Sequence, residues 1–190
     1  MSEALEQSHH IQGHHAESHS DSGARRVAVL ISVLAAVLAL AQMGEKSSQN
    51  AYLTHHIAVS DDWAFYQAKN VRSVMRSTEA AVLASLPNAA DPAVQTRIKD
   101  ARAYAARMQD DPKGGDGMKQ ISARAQQEEH ARETAFHRYH AYELVVGGLE
   151  IAIVLASVSV VTRVNALAVG GGLLGLVAAA SGLAVAMHLF

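Results

Sequence analysis

Three long apolar runs dominate the sequence, and only three residues separate the second from the third. The first run, VAVLISVLAAVLALAQM, covers residues 27–43, holds no charge and follows Arg25 and Arg26. The second covers residues 144–162 and is interrupted by Glu150 alone. The third covers residues 166–190 and has no charged residue, only His188 near its end. A bilayer span takes about 20 apolar residues, with a range of roughly 17–25. Inside hydrocarbon the backbone finds hydrogen-bond partners only in itself, so all three runs are predicted to be helical despite their Val, Ile and Gly content. Arg163, Val164 and Asn165 leave room for a tight turn only, which makes the last two helices an antiparallel hairpin. The first run has a longer core than the roughly 7–15 residues of a signal peptide. It also has a polar leader in residues 1–24, so it reads as an uncleaved helix.

Charge belongs to the region between the runs. Residues 44–141 hold 13 of the 16 Lys and Arg, and all three prolines, which fall at natural breaks. From Val27 to Leu86 there is no proline and the only glycine is Gly44, so the first membrane helix is expected to continue outward as one long helix. Pro87 ends it, because the residue before proline avoids the α region. A second helix is predicted from Asp91-Pro92, an N-cap residue followed by proline at the first helical position. In it Val94, Ile98, Ala101, Ala105 and Met108 make a seam of mostly small residues at coiled-coil spacing. Asp110 to Gly117 (DDPKGGDG) is a loop by composition. A third helix is expected from Met118 straight into the second membrane run, with Ile121, Ala125, Arg132, Ala135, Tyr139 and Tyr142 along one face.

The chain is thus expected to be all-α, with three transmembrane helices and a long coiled-coil-like helical hairpin, or stalk, between the first and the second. Residues 1–24 are expected to form a disordered His-rich tail, 25–43 the first span and 44–141 the stalk. Residues 142–163 and 166–190 form the second and third spans. Tyr52, Leu53, Trp63, Phe65, Tyr66, Val71 and Met75 are expected to supply much of the stalk's packing. A stalk this narrow buries little area per chain, so association with copies or with a partner is expected. For orientation, Arg25, Arg26 and Arg163 balance Lys46, Arg132 and Arg138 on the opposite side. The first helix often decides such cases, which puts the N-terminus inside.

Composition excludes several chemistries. With no Cys there is no disulfide framework, zinc–thiolate site or iron–sulfur cluster. A net charge of −2 gives no general electrostatic attraction to nucleic acid. The sequence has no phosphate-binding loop, nucleophile elbow or His-Glu-x-x-His, no dinucleotide fingerprint in a strand–helix setting, and shows no nucleophile–base pair. No enzymatic activity and no cofactor are expected.

Four groups of residues remain as candidate sites. His9, His10, His14, His15 and His19 give the tail a metal-binding or pH-sensing composition, or simply a polar one. Glu129, Glu133, His137 and His140, with His130, share roughly a face of the third helix, and His55, His56, Asp61 and Asp62 lie on the first. Paired Glu-x-x-His motifs would make these a di-iron site, but neither helix carries a Glu-x-x-His, so a solvated face with local ion pairs is the expectation. Glu150 is the sharpest single feature, since a carboxylate inside a membrane run costs a few kcal/mol. It is either a proton or cation site, or a neutral acid bonded to a serine such as Ser32, Ser157 or Ser181. Gly147, Gly148, Gly171, Gly175 and Gly182, with Ala178, are expected to allow close helix contact. Lys69, Arg72 and Arg76 read as a basic strip on a solvated face.

The segment DDWAFYQAKNVRSVM, residues 61–75, resembles an uncharacterised bacterial membrane family, domain of unknown function 4337. The order of a His-rich tail, a first membrane helix after basic residues, a polar helical region and two closing membrane helices is similar as well. The resemblance rests mainly on Trp63, Tyr66, Gln67, Ala68 and Lys69. It implies a multi-pass protein of the bacterial inner membrane and no known activity. It also implies that Trp63, Tyr66, Gln67 and Lys69 form a self-association or partner surface. On helix length that surface stands about 30 Å beyond the bilayer. The functional expectation is a non-enzymatic scaffold, either a homo-oligomer or an accessory subunit of a larger membrane complex. An oligomeric proton or cation pathway at Glu150, and metal handling by the His cluster, are the alternatives.

Overall fold

The computed structural model describes residues 23–187, and every regular element among them is an α-helix. Helix α1 is described over Gly23–Ser85, 63 residues without a break. It is followed by α2 (Pro92–Gln109), α3 (Met118–Thr162) and α4 (Asn165–Ala186). The helix ends fall at the expected punctuation. Ser85 precedes Pro87, and the Asp91 carboxylate accepts from the Ala93 amide ahead of Pro92 at the first helical position. The loop of residues 110–117 ends α2, and its Gly115 takes a positive φ of 72°. Helices α1, α3 and α4 are each long and apolar enough to cross a membrane. The two candidate metal groups differ in placement: the tail histidines lie outside the described residues, whereas among the described residues no three His, Asp or Glu converge to hold a metal ion.

The chain divides into two compact units, to which α1 and α3 both contribute. In the first unit, described over residues 23–48 and 137–187, the first part of α1, the last part of α3 and all of α4 pack together. Leu34, Ala41, Val145, Val146, Leu149, Ala152 and Ala178 form its core. Small residues set the approach of α4. A Cβ on Gly171 would meet the Ala152 carbonyl oxygen at 2.8 Å, and one on Gly148 would meet the Ala178 Cβ at 3.2 Å. Gly175 lies against the Leu34 side chain and Gly182 against Val145. The Tyr142 ring covers Gly44 so closely that a Cβ there would meet its Cζ at 2.6 Å. Gly147 differs from the other expected packing glycines, since nothing lies within 4 Å of a Cβ built on it. Arg163, in the short turn between α3 and α4, adopts a left-handed φ of 56°.

In the second unit, residues 49–136, the rest of α1 packs against α2 and the first part of α3. The α2 seam is buried as expected at Ile98, Ala101, Ala105 and Met108, with Ala80 of α1 against it. On α3, Ile121 and Ala125 are wholly buried. The face that α1 turns inward is not the expected one. Val59, Asp62, Lys69, Ser73 and Ala80 are buried, while Leu53, Val71 and Met75 are exposed. The physical reason is the polar pairing that α1 makes with α3 and the loop before it, described below.

Gly171→Ala is expected to lower the stability of the first unit by about 1–3 kcal/mol, because the new methyl group meets a backbone oxygen that cannot rotate away. Gly170→Ala, where nothing lies within 4 Å of the added Cβ, is expected to be neutral or slightly stabilising. Denaturation midpoints of the two variants in mild detergent check this contrast.

Candidate functional site

Two places in the fold hold polar groups in an arrangement that packing alone does not explain. One is in the second unit. The ion pairs His55–Glu128, Asp62–Arg124 and Lys69–Asp116 run up α1 and down α3 and the loop before it, so the two helices are antiparallel. His55 Nδ1 lies 2.7 Å from Glu128 Oε2. Asp62 accepts from the Arg124 guanidinium in a two-pronged contact, with Nε at 2.9 Å from Oδ2. Trp63 donates its indole N–H to Glu129 at 3.1 Å. Lys69 donates to Asp116 at 2.7 Å. Asp62 and Lys69 are 9% and 4% exposed, so these two pairs close over charges that would otherwise be buried alone. On the α2 side, Ser73 donates to the Ala105 carbonyl at 3.3 Å. The Arg76 guanidinium lies over the Tyr104 ring at 5.1 Å.

This ladder redistributes the residues expected to form one outward surface. Trp63 and Lys69 are engaged inside their own chain. Tyr66 is half-buried, with its ring edge-on to Trp63 at 5.5 Å. Gln67 is exposed. Lys69 thereby separates from the basic strip, in which Arg72 and Arg76 remain exposed. Sequence reasoning missed the partners Asp116, Arg124 and Glu129. The signal that would have found them is the antiparallel register itself, which sets acidic residues of one helix level with basic residues of the other. The Lys69 hydrogen bond holds the Asp116 carboxyl below its ordinary 3.8, helped by the charges of Lys69 and Arg107 and opposed by desolvation.

The other place is on α3 in the first unit. Glu150 lies among Leu144, Ile151 and Val154, all exposed, and is itself exposed. It points away from the core formed by Leu149 and Ala152. Among the described residues its carboxylate has no hydrogen-bond or ion-pair partner. Ser32 and Ser157 donate instead to the carbonyls of Ala28 and Ile153 on their own helices. The open notch at Gly147 stands on the same face, one turn before Glu150.

A family model described as Domain of unknown function (DUF4337) matches residues 23–188. The chain belongs to this family. The match takes in α2, α3 and α4 and the described part of α1. No curated protein and no solved structure matches the chain.

The Asp116 pairing has a pH signature. A carboxyl whose folded-state pKa is depressed contributes stability above its unfolded value and loses it as pH falls through the folded value. The Lys69–Asp116 contact is therefore expected to hold unchanged from neutral pH down to the ordinary carboxylate range and to open only below it. In Lys69→Met, the Asp116 carboxyl is expected to titrate at higher pH than in the parent chain. The carboxyl ¹³C shift of Asp116, followed against pH in both proteins, tests the sign.

Proposed function

We propose that this member of the family is a non-enzymatic integral membrane protein that acts as an assembly module. It works as a homo-oligomer or as an accessory subunit of a larger complex in the bacterial inner membrane. The observation that carries the reading is Glu150. A carboxylate within an apolar span costs about 2.5–3.5 kcal/mol at the bilayer centre, and such groups as a rule face a bundle interior or a watery cavity. Glu150 instead faces outward from its own three helices, beside a glycine notch that admits another helix. A neighbouring chain seated on this face would enclose the carboxyl and supply a hydrogen-bond partner. The three long apolar helices support the membrane setting.

The same observation favours a second reading, in which several copies bring their Glu150 carboxyls together around a proton or cation pathway. Glu150→Gln separates the two. It keeps the size and hydrogen-bonding capacity of the side chain and removes its ability to carry a proton or a charge. For an assembly module, native mass spectrometry of gently extracted protein is expected to show an integer multiple of 20.2 kDa, or a fixed ratio with other chains. Reconstituted vesicles are then expected to show no flux that the substitution removes. A monomer in native membranes would sink the assembly reading. Flux abolished by Glu150→Gln with assembly intact would establish the pathway instead.

A further inference from the structure

Within the second unit α1 presents two opposite faces. One carries Asp62, Lys69 and Ser73 and is buried against α2, α3 and the loop between them. Half a turn around the helix lies an exposed face, bordered at Val74, Thr78 and Ala81 by a shallow groove that Gln109 of α2 also lines. Ile57, Ala64, Val71 and Thr78 stand on it seven residues apart, and all are exposed. A second row, also stepping by seven from Leu53 to Ala81, runs beside it through Gln67 and Val74 and is likewise exposed. Ile57, Val71 and Val74 are 60%, 58% and 57% exposed. No charged residue falls on either row, although Asp61 and Arg72 flank them. A helix face opposite its core and turned to water is normally charged or polar. Two uncharged rows at heptad spacing, sustained over about four heptads or roughly 42 Å, instead have the pattern of a coiled-coil seam.

We propose that this face is the seam of a parallel dimer between two copies of the chain. The inference deepens the assembly reading above and rests on it: copies inserted in one bilayer with one orientation present their seams side by side, parallel and at equal height. A second copy is thus the one occupant whose rows match in period, direction and register without adjustment. Confinement to a membrane also raises the effective concentration of one copy around another. The residue types fit two strands. β-branched Ile57, Val71 and Thr78 share a row, as in parallel dimers. Gln67, in the middle of the other row, meets its own counterpart across the two-fold axis, and such a polar pair fixes register. Ala64 beside it lets the backbones approach closely.

The chain has no cysteine, so single cysteines report without background. In the full-length protein in its own membranes, under a mild oxidant, Val71→Cys is expected to give a disulfide-linked dimer. Lys99→Cys, exposed on α2, is expected to remain a monomer. Adding Ala64→Glu to a Thr78→Cys reporter is expected to reduce cross-linking at least tenfold while helicity is retained, since both positions are exposed. A Val71→Cys chain that stays uncrosslinked while its native mass remains a multiple of 20.2 kDa overturns the seam and leaves assembly standing. An uncrosslinked chain with the native mass of one copy overturns both. A Val71→Cys link to a different protein overturns the second copy as occupant.

Discussion

Hydrocarbon gives a peptide group nothing to bond to, and that constraint shapes far more of this fold than the segments that would meet it. A helix that must be complete across an apolar run has no reason to stop at the run's edge unless a breaker follows. In α1 no proline follows until Pro87 and Gly44 alone interrupts the pattern, so the helix runs on to Ser85, 42 residues beyond Met43. Helix α3 likewise enters its apolar run without interruption from the polar side. The result is a chain with few elements and few turns. Two long helices each serve both an apolar bundle and a polar one, and their identity as continuous rods follows from where proline and glycine are withheld.

The two units hold themselves together by different chemistry. In the apolar bundle, association has little hydrophobic drive in lipid, and close contact of small residues takes its place. Gly171 against the Ala152 carbonyl and Gly148 against Ala178 are the local expression of this. In the polar unit the seam of α2 buries Ile98, Ala101 and Ala105 in the usual way, but α1 and α3 are also joined through charged and hydrogen-bonded pairs. Such pairs contribute modest net stability, and breaking one partner is costly. Their effect is to select one rotation of α1 about its axis. Once Asp62 and Lys69 are committed inward, the face that carries Ile57 and Val71 can only be outward.

Much of this was legible in the sequence. The three apolar runs, the proline at the start of α2, the Asp-Gly loop and the small-residue seam at 98–108 all carry their signals within a few residues, and local signals survive in a folded chain. The family, too, could be read from a short motif around Trp63. What could not be read was the direction in which that motif points. Large apolar residues such as Leu53, Val71 and Met75 looked like core by type, yet a lysine and an aspartate occupy the core-facing positions. Their partners lie 47 and 62 residues away in sequence, at Asp116 and Arg124, and no periodicity within α1 encodes them. The outward aim of Glu150 was hidden for a related reason. It depends on which face of α3 the small residues of α4 occupy, and glycines stand on several sides of that helix.

The turn between α3 and α4 places a side chain where glycine would be cheaper. Arg163 adopts a left-handed backbone conformation, a cost that an L-residue meets and glycine does not. For a hairpin threaded into a bilayer, a cation at the tip would act as a barb: retreat would draw it through the hydrocarbon, at a cost of several kcal/mol. The two residues that make the connection short, Arg163 and Val164, would thus also hold such a hairpin in place once it had crossed.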